Sequence, residues 1–290
     1  MPEPAIEAEK GSSRNPERPK FCLTTLVKSL SKWRMEAGDL VFIDDAAQKK
    51  GGTADIVKAT NPGPKGADTS DQNLETTRNI AVKKFRFDGD LNRKAQVASF
   101  ANELDLLSQL RHGNIVELIG FVENAVEGIA WILLRWEDNG NLREFIHSQD
   151  WVIPERLSLI YDVACGLKYL HSRDPPICHG DLKSLNVLVT IASRAVITDF
   201  GSARKLQSHL RRQGENNVLG PVPEAEPSMS SAQDPEIKIE ECGTAITLTG
   251  PFFTLRWAAP ELLNDGFFSL ASDMWAFAWI CWEASRTDTH

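Results

Sequence analysis

Leu23, Leu26, Val27, Leu30 and Trp33 recur at the spacing of one helical face, with Lys28, Ser29 and Lys32 between them, so residues 21–39 read as an amphipathic helix. The preceding residues 1–20, rich in Pro and Glu, read as a disordered tail. From Leu40 the period changes. Leu40–Ile43 and Ile56–Val57 read as short strands on either side of Lys49-Lys50-Gly51-Gly52-Thr53. Residues 60–79, with Pro62, Gly63, Pro64 and Gly66, form a loop. Ile80–Phe85 is a compact strand, and Val97, Phe100, Leu104, Leu107 and Leu110 mark a helix over 95–110. Strands follow near 116–121 and 129–136.

After Asn139-Gly140 the chain turns helical. Leu157, Ile160, Tyr161, Ala164, Leu167 and Leu170 define one long helix. Val187–Val189 and Ala195–Ile197 form a small hairpin. Residues 205–246 begin basic, end acidic and carry four prolines, so the segment reads as a largely disordered insertion. The order predicts an α+β fold of two lobes, a β-rich lobe over 40–135 and a helical one over 136–290, with a cleft between them. The amphipathic helix 21–39 has two readings: packing on its own domain, or docking a signalling partner. The 205–246 insertion is a second candidate partner site.

Charge and cysteines narrow the classes. The 290 residues are 42% hydrophobic and 25% charged with a net charge of −8, which excludes a wholly disordered chain and argues against a nucleic-acid binder. Five separated cysteines, Cys22, Cys165, Cys178, Cys242 and Cys281, contain no C-x-x-C pair, which fits free thiols in a reducing compartment. The longest clean apolar run, Met274–Trp282, is far shorter than the ~20 residues of a membrane span. The N-terminus lacks a signal-peptide core, and the reading is a cytoplasmic or otherwise intracellular protein.

The densest chemistry is His179-Gly180-Asp181-Leu182-Lys183-Ser184-Leu185-Asn186 followed by Asp199-Phe200-Gly201. Phosphoryl transfer needs a carboxylate to orient an attacking hydroxyl, and oxygen ligands to hold Mg²⁺ on phosphates. Asp181 and Asn186 on one loop can serve both needs, and Lys183 can offset the charge of the transferring group. Asp199, beyond the hairpin, can return to the same cleft. Upstream, alternation in Ile80-Ala81-Val82-Lys83 puts Ala81 and Lys83 on one face, small beside a flat base and cationic beside phosphates. Lys84 is the register competitor, on whose face Val82 would crowd a nucleotide.

Over roughly residues 40–285 this order of motifs resembles the eukaryotic protein kinase family. The resemblance implies Asp181 as catalytic base with Lys183 beside it, Asn186 and Asp199 as Mg²⁺ ligands, and Glu103 as ion-pair partner of Lys83. It implies an ATP site from Gly51, Gly52, Val57, Ala81, Lys83, Leu134, Trp136 and Leu188, the hinge being Arg135-Trp136-Glu137. Counting the phosphate-loop pattern G-x-G-x-x-G-x-V back from Val57 puts Asp55, Gly52 and Lys50 at its glycine positions. Asp273 looks like the buried aspartate that holds the catalytic loop, Ala259-Pro260-Glu261 matches A-P-E, and Thr254–Trp257 resembles the substrate-facing segment. Gly180 replaces the Arg of H-R-D, which implies activity largely independent of activation-loop phosphorylation. The family's helical lobe continues beyond His290, so the sequence reads as C-terminally truncated, with Trp275, Trp279 and Trp282 expected on an open apolar face.

The leading expectation is an ATP- and Mg²⁺-dependent protein kinase acting on Ser/Thr hydroxyls. Lys183, the Trp257 segment and Gly140-Asn141-Leu142 resemble the tyrosine-kinase-like branch. A pseudokinase scaffold of the same fold is the alternative. A small-molecule phosphotransferase, suggested by His179-Gly180-Asp181, is disfavoured by Ala259-Pro260-Glu261.

Overall fold

Burial of two different apolar surfaces organises the N-terminal half. The computed structural model describes residues 23–43, 49–50, 54–61, 78–87, 90–124, 126–206, 238–242, 245–249, 255–264 and 268–286. The tail 1–20, Gly51, Gly52 and residues 207–237 of the insertion lie outside the described residues.

A short helix α1 (Leu23–Ser29) leads to β1 (Val41–Phe42), β2 (Lys49–Lys50), β3 (Ala54–Asn61) and β4 (Arg78–Phe85). Helix α2 (Asp90–Gln109) follows, then β5 (Leu118–Asn124) and β6 (Ile129–Arg135). The antiparallel sheet has the order β1-β3-β4-β6-β5, with β2 also on β3. Alternation splits its residues. Ala81, Phe85, Ile132 and Leu134 join Phe100, Leu104 and Leu107 of α2 in an inner core. Ile80, Val82, Val122 and Leu133 form an outer cluster with Leu40, Met35 and Phe42.

The expected helix over 21–39 is therefore corrected. It breaks after Ser29 into single 3-10 turns at Ser31–Trp33 and Ala37–Asp39. The reason is geometric: Leu26 and Val27 are buried in the cores while Met35 and Leu40 serve the opposite face of the sheet. One straight helix cannot reach both. Helix α2 starts earlier than the apolar stripe showed, at Asp90.

The C-terminal half comprises α3 (Leu142–Ile146), α4 (Ile153–His171), β7 (Ile177–Cys178), β8 (Val187–Val189), β9 (Ala195–Ile197) and β10 (Arg204–Lys205). It continues with β11 (Lys238–Cys242), β12 (Ala245–Thr249), α5 (Pro260–Asn264) and α6 (Leu270–Ser285). The pair β11–β12 lies inside the stretch read as disordered and corrects that reading for its last residues. Asn141 caps α3, accepting from the Glu144 backbone at 2.9 Å. Arg156 ties α4 to the end of α6, donating to the carbonyls of Ala284 at 3.2 Å and Arg286 at 2.9 Å.

The lobes share one core. Residues 114–116 pair with β9 through Val116 N–H to Ile197 O and Ile197 N–H to Asn114 O, both 2.9 Å. Gly166 of α4 sits under this crossing, where a Cβ would lie 2.8 Å from Asn114 O. Of the expected open face on α6, Met274, Trp275 and Trp282 are exposed, whereas Trp279 packs against the core. Among the described residues no helix is long and apolar enough to cross a membrane.

Candidate active site

Three elements bring a cation and two carboxylates together. Lys83 is on the inner face of β4, Glu103 is in the middle of α2, and Asp199 follows β9. The Lys83 ammonium donates to Glu103 Oε1 at 2.9 Å and Oε2 at 2.7 Å, and to Asp199 Oδ1 at 2.7 Å. Glu103 is fully buried, while the Asp199 side chain keeps 43% of its surface. Burial works to lower the Lys83 pKa, but the facing carboxylates of Asp199 and Glu103 outweigh it and hold Lys83 above the usual lysine range. Burial works to raise Asp199, and the ammonium of Lys83, aided by Lys183, instead holds it well below the carboxylate range. Burial pushes the Glu103 carboxyl up, with Lys83 pulling against it.

Asp199 sits in the left-handed backbone region, φ 64° and ψ 74°, an uncommon conformation for a residue other than glycine. Phe200 behind it is fully buried in the inner core, which locks the turn. Asn102 of α2 donates to Ala203 O at 2.8 Å, so the start of the activation segment is pinned to the helix that carries Glu103.

The loop after β7 is built on one aspartate. Asp273 of α6 accepts from the backbone N–H of His179 at 2.8 Å and of Gly180 at 2.9 Å. His171 of α4 lies 2.9 Å from its Oδ2. Burial opposes ionisation of Asp273, but His171, His179 and these backbone N–H groups hold its pKa below the usual range. Cys178 donates its S–H to Ser269 O at 3.2 Å and points at Asp273 Oδ1 at 3.5 Å; burial and that carboxylate push its thiol pKa up. On the held loop, Lys183 donates to Asp181 Oδ2 at 2.8 Å. The Asn186 amide nitrogen donates to Asp181 O at 2.8 Å and to Oδ2 at 3.2 Å.

Gly180 has φ +79°, and a Cβ there would lie 2.8 Å from Ser202 O and 3.1 Å from Phe268. The backbone conformation and the crowding both select glycine in this chain.

The remaining predicted residues are placed as follows. Ala81 pairs with Leu134 on the inner face, and both are buried. Trp136 donates its backbone N–H to Asn79 O at 3.1 Å and its indole N–H to Asp138 at 2.9 Å. Lys58 reaches the same Asp138 at 3.0 Å. Leu188 bridges Asn141, which sets it beside the segment following the hinge. Val57 is a correction. Cross-strand partners share a face, and Val57 pairs with Val82 on the outer side, whereas Ile56 pairs with Lys83 and packs on the inner core. Ile56, not Val57, therefore lies on the face that carries Lys83. Recounted from Ile56, the glycine positions are Ala54, Gly51 and Lys49, and Asp55 turns away to pair with Arg86 at 3.2 Å. Lys84 also lies on the outer side, 3.8 Å over the Phe42 ring, which removes it as competitor to Lys83.

Sequence reasoning missed Asp162. It is fully buried in α4, accepts from the Ala195 backbone at 3.0 Å and from Arg194, and so fixes the hairpin between Asn186 and Asp199. The Asp lies on a mixed helix face, with nothing local to distinguish it from a solvated acid.

An ion-paired strand lysine and helix glutamate, an aspartate after a hairpin, and an Asp-x-Lys loop hung on a buried helix aspartate define the protein-kinase class. A family model described as protein tyrosine and serine/threonine kinase matches residues 50–225 and 237–288, and the chain belongs to that family. The probable serine/threonine-protein kinase drkC of Dictyostelium discoideum is 30% identical over 218 residues, covering 73% of this chain and 24% of that protein. Calmodulin-binding receptor-like cytoplasmic kinase 1 of Arabidopsis thaliana is 38% identical over 135 residues, 45% of this chain and 28% of its own length. The serine/threonine-protein kinase TNNI3K of Homo sapiens is 28% identical over 207 residues, 70% of this chain and 20% of that protein. The chain thus spans about a quarter of the length of these relatives.

Proposed function

We propose that this chain is an ATP- and Mg²⁺-dependent protein kinase that phosphorylates Ser/Thr hydroxyls of proteins, of the tyrosine-kinase-like branch. The observation that carries the reading is Lys83 held between Glu103 and Asp199 at hydrogen-bond distances of 2.7–2.9 Å. A fold kept only for scaffolding has no need to bury Lys83 and Glu103 and turn both toward Asp199. The names of the relatives above, each a serine/threonine or receptor-like kinase, support the same reading.

The donor set fits magnesium. Asp199 offers a carboxylate, and Asn186, whose amide nitrogen is spent on Asp181, offers its amide oxygen. With these two protein ligands, Mg²⁺ would keep waters and phosphate oxygens as its other ligands. When bound, Mg²⁺ neutralises charge on the nucleotide phosphates. The protein's own groups do the rest. Lys83 orients the α/β-phosphates while Glu103 fixes its ammonium. Asp181 accepts the proton of the substrate hydroxyl as that oxygen bonds to the γ-phosphorus and the bond to ADP breaks. Lys183, already at Asp181, offsets charge on the transferring group. Trp257 and Ala258 lie around one small cavity with Gly180, Asp181 and Leu182, which sets the segment read as substrate-facing next to the catalytic loop.

The test is transfer of label from γ-labelled ATP with Mg²⁺ to the chain itself and to a generic basic protein, followed by phosphoamino-acid analysis. Phosphoserine or phosphothreonine in the wild type, reduced at least ~10²-fold in Asp181→Asn at similar KM for ATP, is the expected result. Equal background in both proteins leaves the scaffold. Faster ADP release with choline or an aminoglycoside than with protein gives the small-molecule phosphotransferase.

A further inference from the structure

The segment before the family match, which begins at residue 50, reaches the helix that carries Glu103. Leu26 and Val27 are buried, and Leu30 and Trp33 pack on the core that holds Phe100, Leu104 and Leu107 of α2. The Arg111 guanidinium lies 4.7 Å over the Trp33 ring and donates to the carbonyls of Leu107 at 3.2 Å and Leu110 at 2.5 Å, capping the end of α2. Arg111 also donates its backbone N–H to the Tyr169 hydroxyl of α4 at 3.0 Å, and Tyr169 stacks on His112 at 4.8 Å. The far side of Trp33 is stapled to β5. Met35 N–H donates to Phe121 O at 2.9 Å, and Arg34 donates to Glu123 O at 2.8 Å. Gly120 makes room for this: a Cβ there would lie 2.6 Å from Trp33 O and 3.0 Å from Met35 Sδ. The Trp33 indole N–H is buried without a partner, so the ring is held by its packing and its cation–π contact rather than by a hydrogen bond.

We propose that residues 26–35 are a built-in brace for α2, with Trp33 a positioning residue that acts through Arg111 to keep Glu103 against Lys83. The brace occupies the apolar stripe of α1, so the reading of that helix as a free docking site for a signalling partner is set aside. A helix clamped at its C-terminal end and at β5 presents Glu103 in one place. Released there, it can swing from the sheet and break the Lys83 pair. The proposal rests on the kinase reading for its catalytic consequence but not for its structural one.

Two readouts separate the two. In hydrogen exchange, Trp33→Ala is expected to speed exchange of α2 amides 97–109 at least tenfold, with α4 and α6 protection unchanged. Trp33→Phe, which keeps a smaller aromatic face for Arg111 and removes the unpartnered N–H with part of the packed surface, should fall between Trp33→Ala and wild type. In phosphoryl transfer, Gly120→Ala, whose methyl strikes Trp33 O and Met35 Sδ, should cost about tenfold in kcat in the full chain. Unchanged α2 exchange in Trp33→Ala overturns the brace whatever the activity. A Gly120→Ala chain with wild-type kcat also overturns it. A wild type with no phosphoryl transfer at all, but with the expected exchange pattern, sinks the kinase reading and leaves the brace standing.

Discussion

Lys83→Met keeps most of the side chain's length and apolar stem and removes its charge and its hydrogen bonds. Glu103, fully buried, then faces no cation, and Asp199 loses the group that depresses its pKa. Breaking a buried pair by removing one partner costs about 3–5 kcal/mol. The lower end applies here, because Asp199 is 43% exposed and can turn to water. A loss of about 3 kcal/mol, divided by a urea m-value of about 3 kcal/mol/M, moves the midpoint down by about 1 M at pH 7. The pH dependence has a definite sign. Glu103, with its folded pKa raised further by loss of the ammonium, favours folding while protonated, so the deficit is absent below the unfolded carboxyl value of about 4.3. It grows by up to about 1.4 kcal/mol per pH unit above that and levels off once the buried carboxyl ionises. Asp199 adds in the same direction: in the wild type its depressed pKa stabilises above about pH 3.9, and that contribution vanishes as pH falls through the folded value. Adding Glu103→Gln to Lys83→Met removes the orphaned charge and should return about half the deficit at pH 7. Urea titrations of the three proteins at pH 7 and pH 5 measure this. A Lys83→Met midpoint equal to wild type at pH 7, or a double variant weaker than the single one, refutes the buried Lys83–Glu103 pair.

Three other outcomes follow from particular contacts. Gly180→Ala forces an L residue to φ +79° and sets a methyl 2.8 Å from Ser202 O, so thermal unfolding should show a loss of about 2 kcal/mol or more. Asp162→Ala strands the buried Ala195 N–H and should cost about 1–3 kcal/mol, whereas Asp162→Asn, which keeps an oxygen to accept that N–H, should cost less; equal losses would contradict the hairpin anchor. Ile56→Ala should raise KM for ATP by about tenfold, the worth of an apolar contact of roughly 1–2 kcal/mol, and Val57→Ala should leave it unchanged; the reverse would return the strand to the register counted from Val57.

These cases also show what a sequence carries. Lys83, Asp181, Asn186 and Asp199 were legible because phosphoryl transfer demands their residue types in a fixed order along the chain, and the Asp199-Phe200-Gly201 turn lies beyond a hairpin that alternation reveals. Val57 was misread because a one-residue register shift leaves an apolar run intact while exchanging its faces, and only the pairing of Ile56 with Lys83 decides between them. The break in the helix over 21–39 was hidden because periodicity reports one apolar stripe, not the two surfaces that the segment must cover. Gly180 read as a lost regulatory arginine, and the structure adds a backbone reason for glycine, the approach of Ser202 and the positive φ. Asp162 and Arg156 carried no signal because the contacts that tie them to other elements, the Ala195 N–H and Arg194 for Asp162 and the carbonyls of Ala284 and Arg286 for Arg156, lie 32–33 and 128–130 positions away.

Calorimetric titration of the chain with ATP, with and without Mg²⁺, beside Asp199→Asn bears most directly on the claim that Lys83, Glu103, Asp181, Asn186 and Asp199 form a magnesium–nucleotide site. The account predicts that wild-type affinity for ATP rises when Mg²⁺ is added and that Asp199→Asn loses this rise while still binding adenosine. Affinity indifferent to Mg²⁺ in the wild type, or the same rise in Asp199→Asn, would contradict it.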